Sequence, residues 1–167
     1  MIREISRATI IGIVLLAAGC ASGPRKTAPV APPASGGPVP ISGPAYSIDG
    51  DTVIVGGTLV DLWGVEAPSI NDSDGWFARA SLDAMIGPGG SLLCTPKYRS
   101  GGRMRAVCAN NLVGDVGRAL LASGWAVTTR DDTRQGSDAE YLGKAYEATE
   151  IRARLARLGL WARNPGP

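Results

Sequence analysis

Residues 48–69 read I-D-G-D-T-V-I-V-G-G-T-L-V-D-L-W-G-V-E-A-P-S, and this stretch decides the fold. Val53 and Val55 alternate with Thr52 and Ile54, the period-2 pattern of a strand. Gly56-Gly57 suits a two-residue turn, because glycine accepts the positive φ of a type I′ turn. Leu59 to Trp63 is then the return strand, and Pro68 stops it. A turn centred on Gly56-Gly57 places Asp61 across from Thr52, beside Asp51. Asp49, Asp51, Asp61 and Glu66 therefore gather near one end of a hairpin. Carboxylates gathered in this way either bind a hard cation such as calcium or repel each other.

Working outward, the composition removes several kinds of chemistry. The chain has 167 residues, enough for one ordinary domain, and no histidine. Ser-His and Cys-His pairs and imidazole zinc ligands are excluded. Three cysteines without a C-x-x-C spacing argue against a cysteine zinc site. A net charge of +2 makes no strong electrostatic case for nucleic acid.

Residues 1–20 read as a signal peptide of lipoprotein type. Arg3 and Arg7 precede an uncharged, mainly apolar run of twelve residues, Ala8 to Gly19, which is short for a membrane span. The run ends Leu16-Ala17-Ala18-Gly19-Cys20, which resembles a bacterial lipoprotein signal. The resemblance implies a diacylglycerol anchor on Cys20; the alternative is an ordinary signal peptide or an N-terminal helix. Ala21 after the cysteine, in lipoproteins resembling this one, favours the outer membrane. The expected location is the cell envelope of a bacterium, with the domain in the periplasm or at the surface. Residues 21–45 read as a linker, since Gly23 to Ala45 holds seven of the twelve prolines. It is either a spacer or plain disorder.

The folded domain is expected over 46–163, with a short tail at 164–167. Helix one is expected over Ser73 to Ile86, with Trp76, Ala80 and Met85 on one face. A second hairpin, Ser91 to Arg99 and Arg103 to Ala109, turns at Ser100-Gly101-Gly102. Cys94 and Cys108 are equidistant from Gly101 and face each other there, either as a disulfide or as two core thiols. A secreted chain favours the bond, whose role is stability. A short helix over Gly114 to Ser123 buries Val116, Leu120 and Leu121, with Gly124 as its C-cap. Trp125 to Val127 is a short strand. The last helix is expected over Ser137 to Leu158, capped by Ser137 or Asp138, with acids first and arginines last to suit its dipole. Those arginines read as a solvated face, and Trp161 is expected to pack on the core. The element order predicts a mainly β fold with helices: a five-stranded OB-type barrel with three helices.

Four stretches in order resemble the thermonuclease (staphylococcal nuclease-like) family. They are the D-G-D-T…G-V-E-A-P motif of residues 49–68, G-G-R-M-R-A, G-D-V-G-R-A-L-L-A-S-G-W-A, and Y-L-G-K-A-Y-E-A-T-E-I-R-A-R-L-A-R-L-G-L-W. The resemblance covers nearly all of residues 46–162. It implies an OB-type barrel descended from calcium-dependent phosphodiesterases. It also implies site roles. Asp51 and Glu66 match the metal acids, and Ala67 matches the residue whose backbone carbonyl helps hold the metal. Arg103 matches one phosphate-binding arginine, and Asp61 stands where the other is expected. Ser69 stands where a glutamate would activate water. Val127 and Thr129 replace the tyrosines that stack on a base, and Ser100 and Gly101 replace a lysine and a tyrosine of the second turn.

Phosphodiester hydrolysis needs an activated water and cations for the charge building on phosphate. With Asp61 and Ser69 in place, the expectation is a tethered domain with a degenerate site, a binding or structural module with little or no nuclease activity. Its protein partner is not readable. The alternative is a calcium-dependent phosphodiesterase acting on DNA or RNA, with Asp51, Asp61 and Glu66 as a denser carboxylate cluster and Arg103 as the phosphate clamp. A third reading, nucleic-acid binding without cleavage, is disfavoured by near-neutral charge and missing aromatics.

Overall fold

The computed structural model describes residues 39–130 and 139–163. All of them belong to one compact unit, residues 35–167. The expected signal peptide with Cys20, most of the linker, the cap at Ser137 or Asp138, and the tail at 164–167 lie outside the described residues.

The chain runs β1 (Ile41–Ser47), β2 (Thr52–Val55), β3 (Thr58–Leu62), β4 (Val65–Glu66), α1 (Gly75–Ile86), β5 (Ser91–Ser100), β6 (Arg103–Asn110), β7 (Gly114–Asp115), α2 (Val116–Ser123), β8 (Val127–Thr128), α3 (Ala139–Leu155) and the one-turn α4 (Leu160–Arg163). The main sheet has the order β3-β2-β1-β5-β6-β7. Its ends meet where β3 pairs in parallel with β6, Val60 with Met104 and Leu62 with Ala106. The result is a closed five-stranded mixed barrel with three helices, and β7 is a short extension of β6. A small second sheet pairs β4 with β8.

The opening hairpin forms with the expected register. Gly56 and Gly57 adopt φ of 55° and 82°, and Thr52 lies opposite Asp61. The second hairpin turns in the same way on Gly101 and Gly102, with φ of 57° and 80°. That turn starts the ladder with Ser100 opposite Arg103, a register that would leave Cys94 facing Ala109. A bulge between Pro96 and Tyr98 shifts the pairing by one, and Cys94 comes to face Cys108. Proline has no N–H for the ladder, so the irregularity costs little there. The two cysteines form a disulfide with Cα atoms 4.0 Å apart.

The domain begins earlier than the linker's composition implied. Ile41–Ser47 is a strand, although it contains Gly43 and Pro44. It is held on both sides, by β2 through Tyr46 opposite Ile54 and by β5 through Ile41 opposite Cys94. Pro44 donates nothing, yet its carbonyl accepts from Gly56 N at 3.0 Å. Pairing on two edges overrides the local preference for a turn.

The core is one cluster. Alternate residues of the strands supply Val53, Val55, Val60, Leu62, Leu92, Met104 and Ala106, and Trp63 sits at 0% exposure with Tyr146 edge-on at 5.5 Å. The helices close the barrel with Leu82 and Ile86, Val116, Leu120 and Leu121, and Tyr146. On α1 the buried stripe is Ala78, Leu82 and Ile86, not the face of Trp76, Ala80 and Met85. Trp76 and Met85 are nine residues apart, about 180° around a helix, so they cannot share a face. Trp76 points outward at 64% exposure. α2 buries the expected residues. Asp115 caps it by accepting from Arg118 N at 3.1 Å, and Gly124 ends it in the left-handed conformation. α3 ends at Leu155, three residues short of expectation, and Arg157 takes a φ of 52°. The strand expected at 125–127 lies at Val127–Thr128. Trp161 is half-buried outside the core cluster, covered by the Arg154 guanidinium 4.0 Å above its ring. Among the described residues no helix is long and apolar enough to cross a membrane.

Candidate functional site

The hairpin, β4 and the start of β6 enclose a cleft of about 820 Å³. Its polar lining includes Asp49, Asp51, Thr52, Asp61, Glu66, Arg103, Arg105 and Arg130. The fold thus brings the four acids and the retained arginine of the sequence analysis into one space.

The acids do different work within it. Asp49 accepts from Gly50 N at 2.8 Å and from Ile70 N at 3.0 Å. Asp51 Oδ2 accepts from Ala67 N at 3.1 Å, and Asp51 Oδ1 lies 3.0 Å from the Thr52 hydroxyl. The two aspartates of D-G-D therefore clip the segment Ala67 to Ile70 onto the hairpin. Gly50 sits between them against Ala67 and Ala78, where a Cβ would come within 2.6 and 2.7 Å of their side chains. Burial raises the pKa of Asp51. The bonds from Ala67 and Thr52 offset that in part, and nearby Asp49 and Asp61 add to it.

Asp61 is buried, at 4% exposure, and is held by cations. Its Oδ1 pairs with Arg103 Nη2, and its Oδ2 lies 3.5 Å from Arg105 Nε. Both contacts follow from backbone geometry. β3 and β6 run parallel with Asp61 opposite Arg105, and Arg103 lies two residues back on the same face. The Thr52 hydroxyl lies 3.2 Å from Asp61 Oδ1 as well, and Arg103 Nη2 donates to it at 3.3 Å. Its single proton serves Asp51 or Asp61, one at a time.

Glu66 is exposed on β4 and lines the same cleft. The denser cluster of Asp51, Asp61 and Glu66 does not assemble. Among the described residues no group of three or more acids or cysteines is placed to hold a metal ion. A calcium ion takes six to eight oxygens. Here both oxygens of Asp51 are engaged by N–H and O–H donors, and Asp61 faces two guanidiniums. Both carboxylates are thus already engaged by donors of the protein itself.

Ser69 is exposed, and its Oγ accepts from Asn71 N at 3.3 Å; among the described residues no base is bonded to it. Thr129 lines the cleft, whereas Val127 lines a separate hollow with Glu150 and Arg154. Ser100 and Gly101 are exposed in the second turn.

Two participants were not anticipated from sequence, Arg105 and Arg130, which line the cleft; Asp49 was expected there as an acid but works as a backbone clip. A signal for Arg105 existed: in Arg103-Met104-Arg105 the alternation that buries Met104 puts both arginines on the other face. Behind the cleft, Glu150 fixes β8 by accepting from Thr128 N at 2.8 Å and from Arg154 Nε at 2.9 Å. Burial alone would raise its pKa, but these donors outweigh that and lower it.

No protein-family model matches the chain, and no curated protein matches it.

Proposed function

We propose that the chain is a thermonuclease-like barrel with a degenerate site, held in a bacterial cell envelope through Cys20, and that it serves as a binding or structural module with little or no nuclease activity. The observation that carries this reading is the Asp61 carboxylate seated on Arg103 and Arg105. A phosphodiesterase presents guanidiniums to the charge that develops on phosphate. Here that charge is met in advance by the protein's own anion. A phosphate entering the cleft would have to displace a buried carboxylate and leave it beside a second anion.

Two further observations support it. Among the described residues Ser69 has no partner that would make it a base, and removing a single transition-state group commonly costs about 10²–10³ in rate. Asp51, one of the two acids expected to hold a metal, is engaged in clipping Ala67 onto the hairpin. The thermonuclease kinship itself rests on the four ordered stretches, and a closed five-stranded mixed barrel is compatible with it.

The test uses residues 35–167, the unit that contains the whole described core. This protein is incubated with single-stranded DNA and RNA, with and without calcium. No cleavage is expected, and Asp61→Arg with Ser69→Glu then asks whether activity was lost at those two positions. A second reading, a variant phosphodiesterase, is favoured by Arg103, Arg105 and Arg130 lining one cleft with four acids. Cleavage by the natural sequence that disappears in Asp51→Ala would establish that reading and end the first.

A further inference from the structure

Away from the cleft, a groove of about 680 Å³ lies between α2 and α3. Small residues line it, Ala119 and Ala122 from α2, Ala153 from α3 and Ala156 just past its end, together with Val113 and Leu158. Their chain neighbours Leu112 and Leu155 stand in solvent at 69% and 81% exposure. Leu155 follows Ile151 by one helical turn, and Ile151 is also 55% exposed.

The charge on this face is one-sided. Arg118 and Arg152 line the groove and are exposed. Neither has a carboxylate within ion-pair distance among the described residues, whereas Arg79, Arg103, Arg105, Arg154 and Arg163 each have one. Among the described residues the one acid lining the groove is Asp115, and both its oxygens are taken, one by Arg118 N and the other by the Tyr146 hydroxyl at 2.6 Å. Projecting leucines near guanidiniums that have no carboxylate partner among the described residues are what an anionic lipid surface complements: phosphates meet the guanidiniums, and the acyl region takes the leucines. An acidic helix would fill a groove, but it would leave side chains as exposed as Leu112 and Leu155 outside the contact.

We propose that this face rests on an anionic bilayer, with Arg118 and Arg152 at lipid phosphates and Leu112 and Leu155 among the acyl chains. The contact is separate from the cleft and does not depend on what the cleft does.

Sedimentation of residues 35–167 with vesicles tests it. Vesicles of roughly one-third phosphatidylglycerol in phosphatidylcholine should bind the protein at low salt, and pure phosphatidylcholine should not. Each arginine near such a surface changes partitioning about fivefold, so Arg118→Glu with Arg152→Glu should weaken binding by about 25-fold or more. Arg118→Lys with Arg152→Lys should retain it, which separates lost charge from lost folding. Leu112→Ser with Leu155→Ser, checked for unchanged thermal unfolding, should also release the protein. No binding to the anionic vesicles, or equal binding by the glutamate and serine variants, overturns the proposal. So does tight binding of an acidic amphipathic peptide in the groove without any binding to vesicles.

Discussion

Replacing Asp61 with asparagine isolates the carboxylate that sets the character of the cleft. The shape is nearly unchanged; the charge facing Arg103 and Arg105 is gone. A hydrogen bond to a charged group is worth about 1.5–3 kcal/mol, and Asp61 makes one to Arg103 and an ion-pair contact to Arg105. The Arg103 side chain is 49% exposed and that of Arg105 30%, so solvent screens both. The asparagine also avoids burying a charge. The net expected loss is about 1–2 kcal/mol, roughly 3–8 °C in Tm for a unit of this size. Chemical and thermal denaturation read that loss. The same variant should gain an anion site, because two guanidiniums lose their internal partner. At about 100 mM phosphate the variant should be stabilised by roughly 1 kcal/mol more than the natural sequence, with chloride at equal ionic strength as control. A variant as stable as the natural protein, with no added response to phosphate, would refute the claim that Asp61 neutralises these arginines.

Three other outcomes are expected. Cys94→Ser with Cys108→Ser should cost about 3 kcal/mol, the chain-entropy value for a loop of about 15 residues, read from denaturant midpoints of oxidised, reduced and variant protein. Gly50→Ala should cost about 1–3 kcal/mol, because its Cβ meets Ala67 and Ala78 at 2.6 and 2.7 Å; a neutral result would mean that the D-G-D clip gives way easily. Glu150 has a pKa below its unfolded value of 4.5, so its stabilisation is present above that value and lost as pH falls through the folded one. Glu150→Gln should therefore lower stability at neutral pH and flatten the acid limb as pH falls below the unfolded value, as followed by denaturation at several pH values.

Much of the barrel was legible because its two hairpins are specified locally. Gly56-Gly57 fixes a register that a period-2 pattern confirms, and Asp61 falls opposite Thr52 as that register requires. The cysteine pairing was legible for a less direct reason. Counting from Gly101 put Cys94 opposite Cys108, but the turn lies at Gly101-Gly102, and the bulge after Pro96 restores the pairing. β1 was hidden because Gly43 and Pro44 carry a linker's composition, and only its two partner strands make it a strand. The face of α1 was misread from Trp76, a large apolar residue that the helix leaves in solvent beside Phe77.

At the site, sequence placed the right side chains near one another without their hydrogen bonds. Asp51 reads as a metal acid, and the structure adds what sequence did not show, Ala67 N and the Thr52 hydroxyl on its two oxygens. Asp61 reads as a charge reversal until the parallel pairing of β3 with β6 supplies Arg105 as well as Arg103. That pairing joins strands some forty residues apart, and no local pattern announces it.

The central claim is that the cleft is neutralised from within and does not hydrolyse phosphodiesters. The most direct measurement is cleavage of a fluorescent single-stranded DNA or RNA oligonucleotide by residues 35–167, in calcium and in chelator, with Asp51→Ala as the site control. The account predicts no cleavage above buffer in either condition. Calcium-dependent cleavage that vanishes in Asp51→Ala would contradict it.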